Sequence, residues 1–172
     1  LNVHDADTDE ASYLRVIRYK TAKLFEAATQ VGAILGGAAP ETERALAEYG
    51  SHLGTAFQLI DDVLDYSGDL QETGKNLGDD LAEGKPTLPL IRVMVEGTAE
   101  ERTLVRRAVE EGGKADLAGV VAAIHRVGAL DYTRERAREE AAAATARLER
   151  LPDSPCRDSL LQLAHFSVER KF

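Results

Sequence analysis

The chain has no tryptophan, one cysteine, one methionine and five prolines in 172 residues, and aromatic side chains make up only 5% of it. Each scarcity excludes something. A single thiol, Cys156, leaves no internal disulfide, so the core alone must hold the fold, and an intracellular setting is the simplest expectation. Basic residues are outnumbered as well: 21 Lys and Arg stand against 30 Asp and Glu, a net charge of −9. That balance argues against nucleic acid as a main partner. No apolar run is long enough to cross a bilayer. The opening LNVHDADTDEAS has neither a basic start nor an apolar stretch, so it does not read as a signal peptide. It also lacks an initiating methionine, and the chain is expected to be a fragment or a processed piece. There is no phosphate-binding glycine loop. His4, His52, His125 and His165 show no zinc spacing, and no Glu-x-x-His pair marks a di-iron bundle. Cys156, in DSPCRDS, has no evident basic partner and reads as inert.

What is plentiful is Ala, Leu, Glu and Arg, the residues of helices. Nearly every segment carries helical spacing, and none shows convincing strand alternation. The first helix is expected over Ser12 to Leu35, closed by Gly36-Gly37. The second is expected from Pro40 to about Tyr66. A glycine-punctuated stretch, residues 67–85, reads as a long loop with one short helical turn. A third helix is expected from Pro86. A fourth opens at Thr98, with Glu101 completing a capping box. A fifth is expected over Lys114 to Val127, a sixth over Leu130 to Arg150, and a last from Ser154-Pro155 to about Arg170. The class is all-α: an antiparallel helical bundle with mostly short connections.

The stretch GTAFQLIDDVLDYSGD places Asp61, Asp62 and Asp65 inside an apolar helix. At 100° per residue these three and Gln58 share an arc of roughly 100°. Gly50, Ser51, Gly54 and Thr55 continue the arc toward the N-terminus, while Leu53, Ala56, Ile60, Val63 and Leu64 take the other side. A surface helix would show a broad face of mixed charge. A narrow stripe of small residues leading into acids is what the wall of a cavity would look like. Three carboxylates within about one turn repel one another, and a hard divalent cation removes that repulsion. Mg²⁺ suits them, because it takes oxygen ligands and is typically shared between one or two carboxylates and a phosphate. The bland alternative is a solvated acidic patch.

A metal among carboxylates invites a phosphate ligand, and phosphate needs cations. Lys20 falls on the apolar face of the first helix with Val16, Leu24, Ala27 and Val31, and Thr21 adds a hydroxyl at its edge. A snorkelling stem covering the core is the competing account of Lys20. The loop supplies Lys75 in TGKNLGDD and Lys85 in EGKPT, each after a glycine. Asp79 and Asp80 are candidates to hold Lys75 or to support a metal's water shell.

The blocks YLRVIRYKTAKLFEAA, LGTAFQLIDDVLDYSGD and GKNLGDDLAEGKPTLPLI, in this order, resemble the C-terminal half of trans-polyprenyl diphosphate synthases, most closely those of the octaprenyl type that make quinone side chains. The resemblance implies the isoprenoid synthase bundle, with the whole chain forming the C-terminal part of one domain. Residues 1–11 are then a polar N-terminal segment, and 67–85 an active-site loop. It implies that Asp61, Asp62 and Asp65 are the second aspartate-rich motif, binding Mg²⁺ that bridges to an allylic prenyl diphosphate. Lys20, Thr21, Gln58, Lys75 and Lys85 match the diphosphate-gripping positions, Lys20 and Lys75 as catalytic groups. Phe57 matches the aromatic beside the isoprenoid. The reaction implied is condensation of isopentenyl diphosphate onto the allylic diphosphate, giving a long all-trans polyprenyl diphosphate. The full-length enzyme is expected to be a cytoplasmic homodimer working near the membrane face. The first aspartate-rich motif of the family has no counterpart here, so this chain alone is expected to be inactive. Two other readings stay open: a non-catalytic partner subunit of a heteromeric synthase, and a helical interaction domain with an acidic patch.

Overall fold

The computed structural model describes residues 3–67, 78–112 and 116–170. Every regular element among them is helical. Helix α1 (Glu10–Ile17) runs through a π-turn (Arg18–Ala22) into α2 (Lys23–Leu35). Helix α3 (Pro40–Ser67) is the longest, and α4 (Asp79–Ala82) is a single turn. Then follow α5 (Leu88–Glu96), α6 (Ala99–Glu111), α7 (Leu117–Arg126), α8 (Ala129–Arg147) and α9 (Pro155–Glu169). The all-α expectation holds. No helix among the described residues is long and apolar enough to cross a membrane.

The helix boundaries follow local chemistry. The Thr98 side chain accepts from the Glu101 amide at 3.3 Å, and Glu101 accepts from the Thr98 amide at 2.7 Å, the reciprocal box that opens α6. Ser154 accepts from the Arg157 amide at 3.2 Å and opens α9 over Pro155. Some boundaries depart from expectation: the first helix opens at Glu10 rather than Ser12, and the sixth closes at Arg147 rather than Arg150. The third helix begins at Leu88 rather than Pro86, because Thr87 is extended and Pro89, not Pro86, occupies the first turn. The fifth is observed over Leu117–Arg126, and its expected start at Lys114 lies outside the described residues.

The chain divides into two compact units. The first takes in residues 3–14 and 61–134. In it α5, α6 and α7 pack on one another, and α4 packs on α6. Its core joins Tyr66, Leu81, Leu90, Val93, Val105, Val109, Val120, Ile124 and Leu130. Leu81, fully buried, is the anchor that fixes α4. Burying one such side chain is worth about 1.5–3 kcal/mol, enough to hold a single turn that would not form alone.

The second unit takes in residues 15–60 and 135–170. Tyr49 and Leu53 of α3 meet Ala144 of α8, Leu148 just beyond its end and Ala164 of α9, with Phe25, Leu46 and Leu160 against them. The buried Tyr49 hydroxyl donates to the Leu160 carbonyl at 2.8 Å. Burial pushes its pKa up to about 12, so it remains a donor at any working pH.

Two sequence expectations change here. Part of the small-residue stripe on α3 is a helix contact, not a cavity wall. A Cβ on Gly54 would stand 2.6 Å from Ala22 Cα, and one on Gly50 would stand 2.5 Å from the Phe25 carbonyl oxygen. The two glycines let α3 lie almost backbone to backbone against the π-turn and α2. The face of α2 expected to be interior is the other surprise. Lys20, Leu24, Ala27 and Val31 are exposed, while Ala22 and Ala33 are buried. The π-turn, with its extra residue, carries the buried position from Ile17 to Ala22, five residues on.

Candidate active site

The three aspartates of α3 lie in the first unit and are not equivalent. Asp62 is 1% exposed and accepts a hydrogen bond from the Tyr13 hydroxyl, itself buried. Burial, then the Asp62 charge, raises the Tyr13 pKa well above its ordinary value, so Tyr13 stays protonated and keeps donating. Asp61 and Asp65 are half-buried, one turn apart on the same helix face.

Asp65 is the organising group. Its backbone carbonyl accepts from the Gly78 amide at 3.0 Å, and its Oδ2 accepts from the Asp80 amide at 3.2 Å. The end of α3 thus seats the start of α4. Burial and then the nearby Asp80 carboxylate push the Asp65 pKa up to about 6, against the Asp80 and Asp79 amides, which lower it.

Asp80 carries the connection onward. Its Oδ1 accepts from Lys85 Nζ at 2.8 Å, its backbone carbonyl accepts from the Lys85 amide at 2.9 Å, and Glu83 accepts a second bond from Nζ at 2.7 Å. Burial opposes the charge on Lys85, but these two carboxylates outweigh it and raise its pKa. Sequence reasoning offered Asp80 to Lys75; the structure gives it to Lys85. Lys75 lies outside the described residues.

Lys20, Thr21, Gln58 and Phe57 lie in the second unit. Lys20 and Thr21 sit inside the π-turn, Lys20 exposed and Thr21 half-buried. The Thr21 hydroxyl donates to Gln58 Oε1 at 2.8 Å. Phe57 packs on Phe25 with ring centroids 5.5 Å apart, and the Arg170 guanidinium lies 3.9 Å over its ring while donating to the Phe57 carbonyl. A neighbouring cluster was not foreseen. Glu140 of α8, 9% exposed, accepts from Arg18 at 3.3 Å and pairs with His52 Nδ1 at 2.6 Å. Burial works to raise its pKa, yet His52 and Arg18 hold it below the ordinary carboxylate value. Arg18 is the first residue of the π-turn, so the cluster ties that turn to α3 and α8. Spacing could have flagged it: Glu140 falls among Ala137, Ala141, Ala144 and Leu148, all buried.

The donor chemistry at α3 fits a hard divalent cation. Asp61 and Asp65 offer carboxylate oxygens on one face, and the mutual repulsion seen at Asp65 and Asp80 is what a cation relieves. Among the described residues, no three His, Cys, Asp or Glu side chains are arranged to chelate a metal by themselves. Two hollows of about 360 and 340 Å³ lie in the first unit, and none of the candidate residues lines either.

The polyprenyl synthetase family model matches residues 1–126. The chain belongs to the polyprenyl synthetase family. An octaprenyl diphosphate synthase of Escherichia coli is 53% identical over 171 residues, covering 99% of this chain and 53% of the relative. The crystal structure of a decaprenyl diphosphate synthase from Rhodobacter capsulatus aligns at a TM-score of 0.89 with 44% identity, over 99% of this chain and 53% of that one. A polyprenyl synthase from Caulobacter crescentus, solved with calcium and isoprenyl diphosphate, aligns at a TM-score of 0.93 with 40% identity, over all of this chain and 53% of its own. The chain therefore spans about half the length of the family members it matches, and it carries their helical isoprenyl synthase fold over that half.

Proposed function

We propose that this chain supplies one half of the active site of a trans-polyprenyl diphosphate synthase. The reaction is head-to-tail addition of isopentenyl diphosphate to an allylic prenyl diphosphate, repeated to a long all-trans product. The chain forms the C-terminal part of a single isoprenoid synthase domain, with residues 67–85 as its active-site loop. The full-length protein works as a homodimer in the cytoplasm, near the membrane that takes up its product.

Three features support this. The first is the family membership, with an octaprenyl diphosphate synthase among the relatives. The second is the solved family member that carries a divalent cation together with isoprenyl diphosphate. The third is the chain of contacts from Asp65 of α3 through Asp80 of α4 to Lys85, which pairs an acid and a base beside the aspartates. That last observation carries the assignment, because a solvated acidic patch has no reason to build it.

Mg²⁺ bound by Asp61 and Asp65, with Asp62 in support, would neutralise charge on the departing diphosphate. Lys20, Lys75 and Lys85 would hold that diphosphate by point charge, and Thr21 and Gln58 by hydrogen bonds. Their effect grows as negative charge builds on the leaving oxygen, so they favour the transition state over the ground state. Phe57 would lie beside the isoprenoid chain, where an aromatic face favours the allylic cation.

Titration calorimetry of the full-length protein, with Mg²⁺ and a non-hydrolysable allylic diphosphate analogue, tests the assignment. Asp61→Ala and Lys20→Ala are each expected to weaken binding at least tenfold, about 1.4 kcal/mol. If neither change weakens it, the site is wrong.

A further inference from the structure

Outside the residues already assigned, one contact in the first unit stands out. His4 has φ 64°, and it is the one non-glycine among the described residues with positive φ. Its Nδ1 lies 3.0 Å from the Val109 carbonyl, which belongs to the last turn of α6. A carbonyl can only accept, so Nδ1 carries the hydrogen. The His4 amide donates to the Gly84 carbonyl at 2.7 Å. The ring itself fills the space between two left-handed glycines. A Cβ on Gly84 (φ +67°) would stand 2.3 Å from His4 Nδ1, and one on Gly112 (φ +61°) would stand 2.8 Å from His4 Cε1.

Gly84 immediately precedes Lys85, and the turn from Asp80 to Lys85 is the one that hands the lysine to Asp80. A strained backbone persists only where its surroundings over-determine it. Here the strained residue spans the C-terminal end of α6 and the loop that aims Lys85. We infer that His4 is a positioning residue: it clamps the Gly84–Lys85 turn against α6 and so sets where Lys85 meets the allylic diphosphate. The inference rests on the proposed role of Lys85. It gives the polar N-terminal segment a task in the site, although His4 touches no substrate. His4 keeps an exposed face, so replacing it removes a clamp without hollowing the core.

The test compares His4→Ala, His4→Asn, Gly84→Ala and Lys85→Ala in the full-length protein. Steady-state kinetics are read for both diphosphates, with binding of the allylic analogue by calorimetry and the thermal midpoint alongside. Asn tolerates positive φ, and its side-chain amide can donate to the Val109 carbonyl. His4→Ala is expected to raise KM for the allylic diphosphate about tenfold and to weaken the analogue equally, since small misplacements of binding groups are costly. KM for isopentenyl diphosphate should stay within about twofold, and His4→Asn should restore most of the loss. Gly84→Ala, which drives a methyl into the ring, should reproduce the His4→Ala pattern. The inference is overturned if Lys85→Ala weakens the allylic analogue while His4→Ala does not. It is also overturned if both KM values rise together with a fallen thermal midpoint, or if His4→Asn is as impaired as His4→Ala. Should Lys85→Ala itself leave the analogue untouched, the assignment of Lys85 falls first and the clamp loses its purpose.

Discussion

The Tyr13 hydroxyl donates to Asp62 Oδ2, and both residues are buried. Of the three acids at the end of α3, Asp62 is therefore the one held inside the protein, while Asp61 and Asp65 are half-buried. Tyr13→Phe removes a hydrogen bond to a buried charge and keeps the ring's volume. It is expected to lower stability by about 1.5–3 kcal/mol. Urea denaturation measures this, and Mg²⁺-dependent binding of the allylic analogue should change far less than in Asp61→Ala.

Asp65 is destabilising where it stands, because burial and Asp80 both oppose its charge. Asp65→Asn is expected to raise the stability of the metal-free protein. One pKa unit is worth about 1.4 kcal/mol; with partial exposure discounted, the gain is on the order of 1–2 kcal/mol. Saturating Mg²⁺ and allylic diphosphate analogue should stabilise the wild type and leave Asp65→Asn nearly unchanged. Thermal unfolding with and without these ligands reads both effects. A stable variant that still gains fully from them would remove Asp65 from the metal site.

How much of this was legible beforehand depends on range. Caps are local, and Thr98–Glu101, Ser154–Pro155 and Pro40 marked their helices correctly. Helical periodicity put Asp61 and Asp65 one turn apart on one face, as observed, but it gave no sign of the Tyr13 hydroxyl that holds Asp62 or of the Asp80 amide on Asp65. Lys85 was legible only as a loop lysine after a glycine; its bond to Asp80 depends on Leu81 anchoring α4, which no pattern announces. The stripe of small residues was misjudged, since glycine leaves room equally for a ligand and for another backbone. At Gly50 and Gly54 a backbone took it. The burial of α2 was misjudged for a different reason. Leu24, Ala27 and Val31 do share a face, but that face is exposed, and the π-turn at Lys20 breaks the constant pitch that a helical wheel assumes between Val16 and Leu24.

Gly54→Ala tests the close approach directly. The methyl would meet Ala22 Cα, a backbone atom that cannot swing aside. Overpacking of this kind costs about 1–3 kcal/mol, against about 1 kcal/mol gained in helix propensity. A net loss of stability is expected, together with weaker binding of the allylic analogue, because the π-turn that carries Lys20 and Thr21 must move. An unchanged affinity would show that the turn's position does not matter to the ligand.

Glu140 supplies a pH dependence. Its folded pKa lies below the ordinary glutamate value, so it stabilises the fold above that range. The contribution falls away as pH drops through the ordinary range toward the lowered folded value. Glu140→Gln is expected to cost about 1–3 kcal/mol at neutral pH. The gap between variant and wild type should narrow steadily in acid. Chemical denaturation at a series of pH values checks this, and a gap that widens in acid would contradict the pairing with His52 and Arg18.

The π-turn between α1 and α2 contains one residue more than regular helix would need. The wide turn absorbs that residue, so Ala22 follows Ile17 on the buried side although five positions separate them. Forcing regular pitch on the same sequence would rotate Ala22 by about 100° away from Gly54, and the close approach of the two backbones would be lost. Deleting one residue between Arg18 and Ala22 would instead let regular helix carry the two buried positions one turn apart. A stretch one residue too long for an α-helix is thus kept in step by a local widening of the coil.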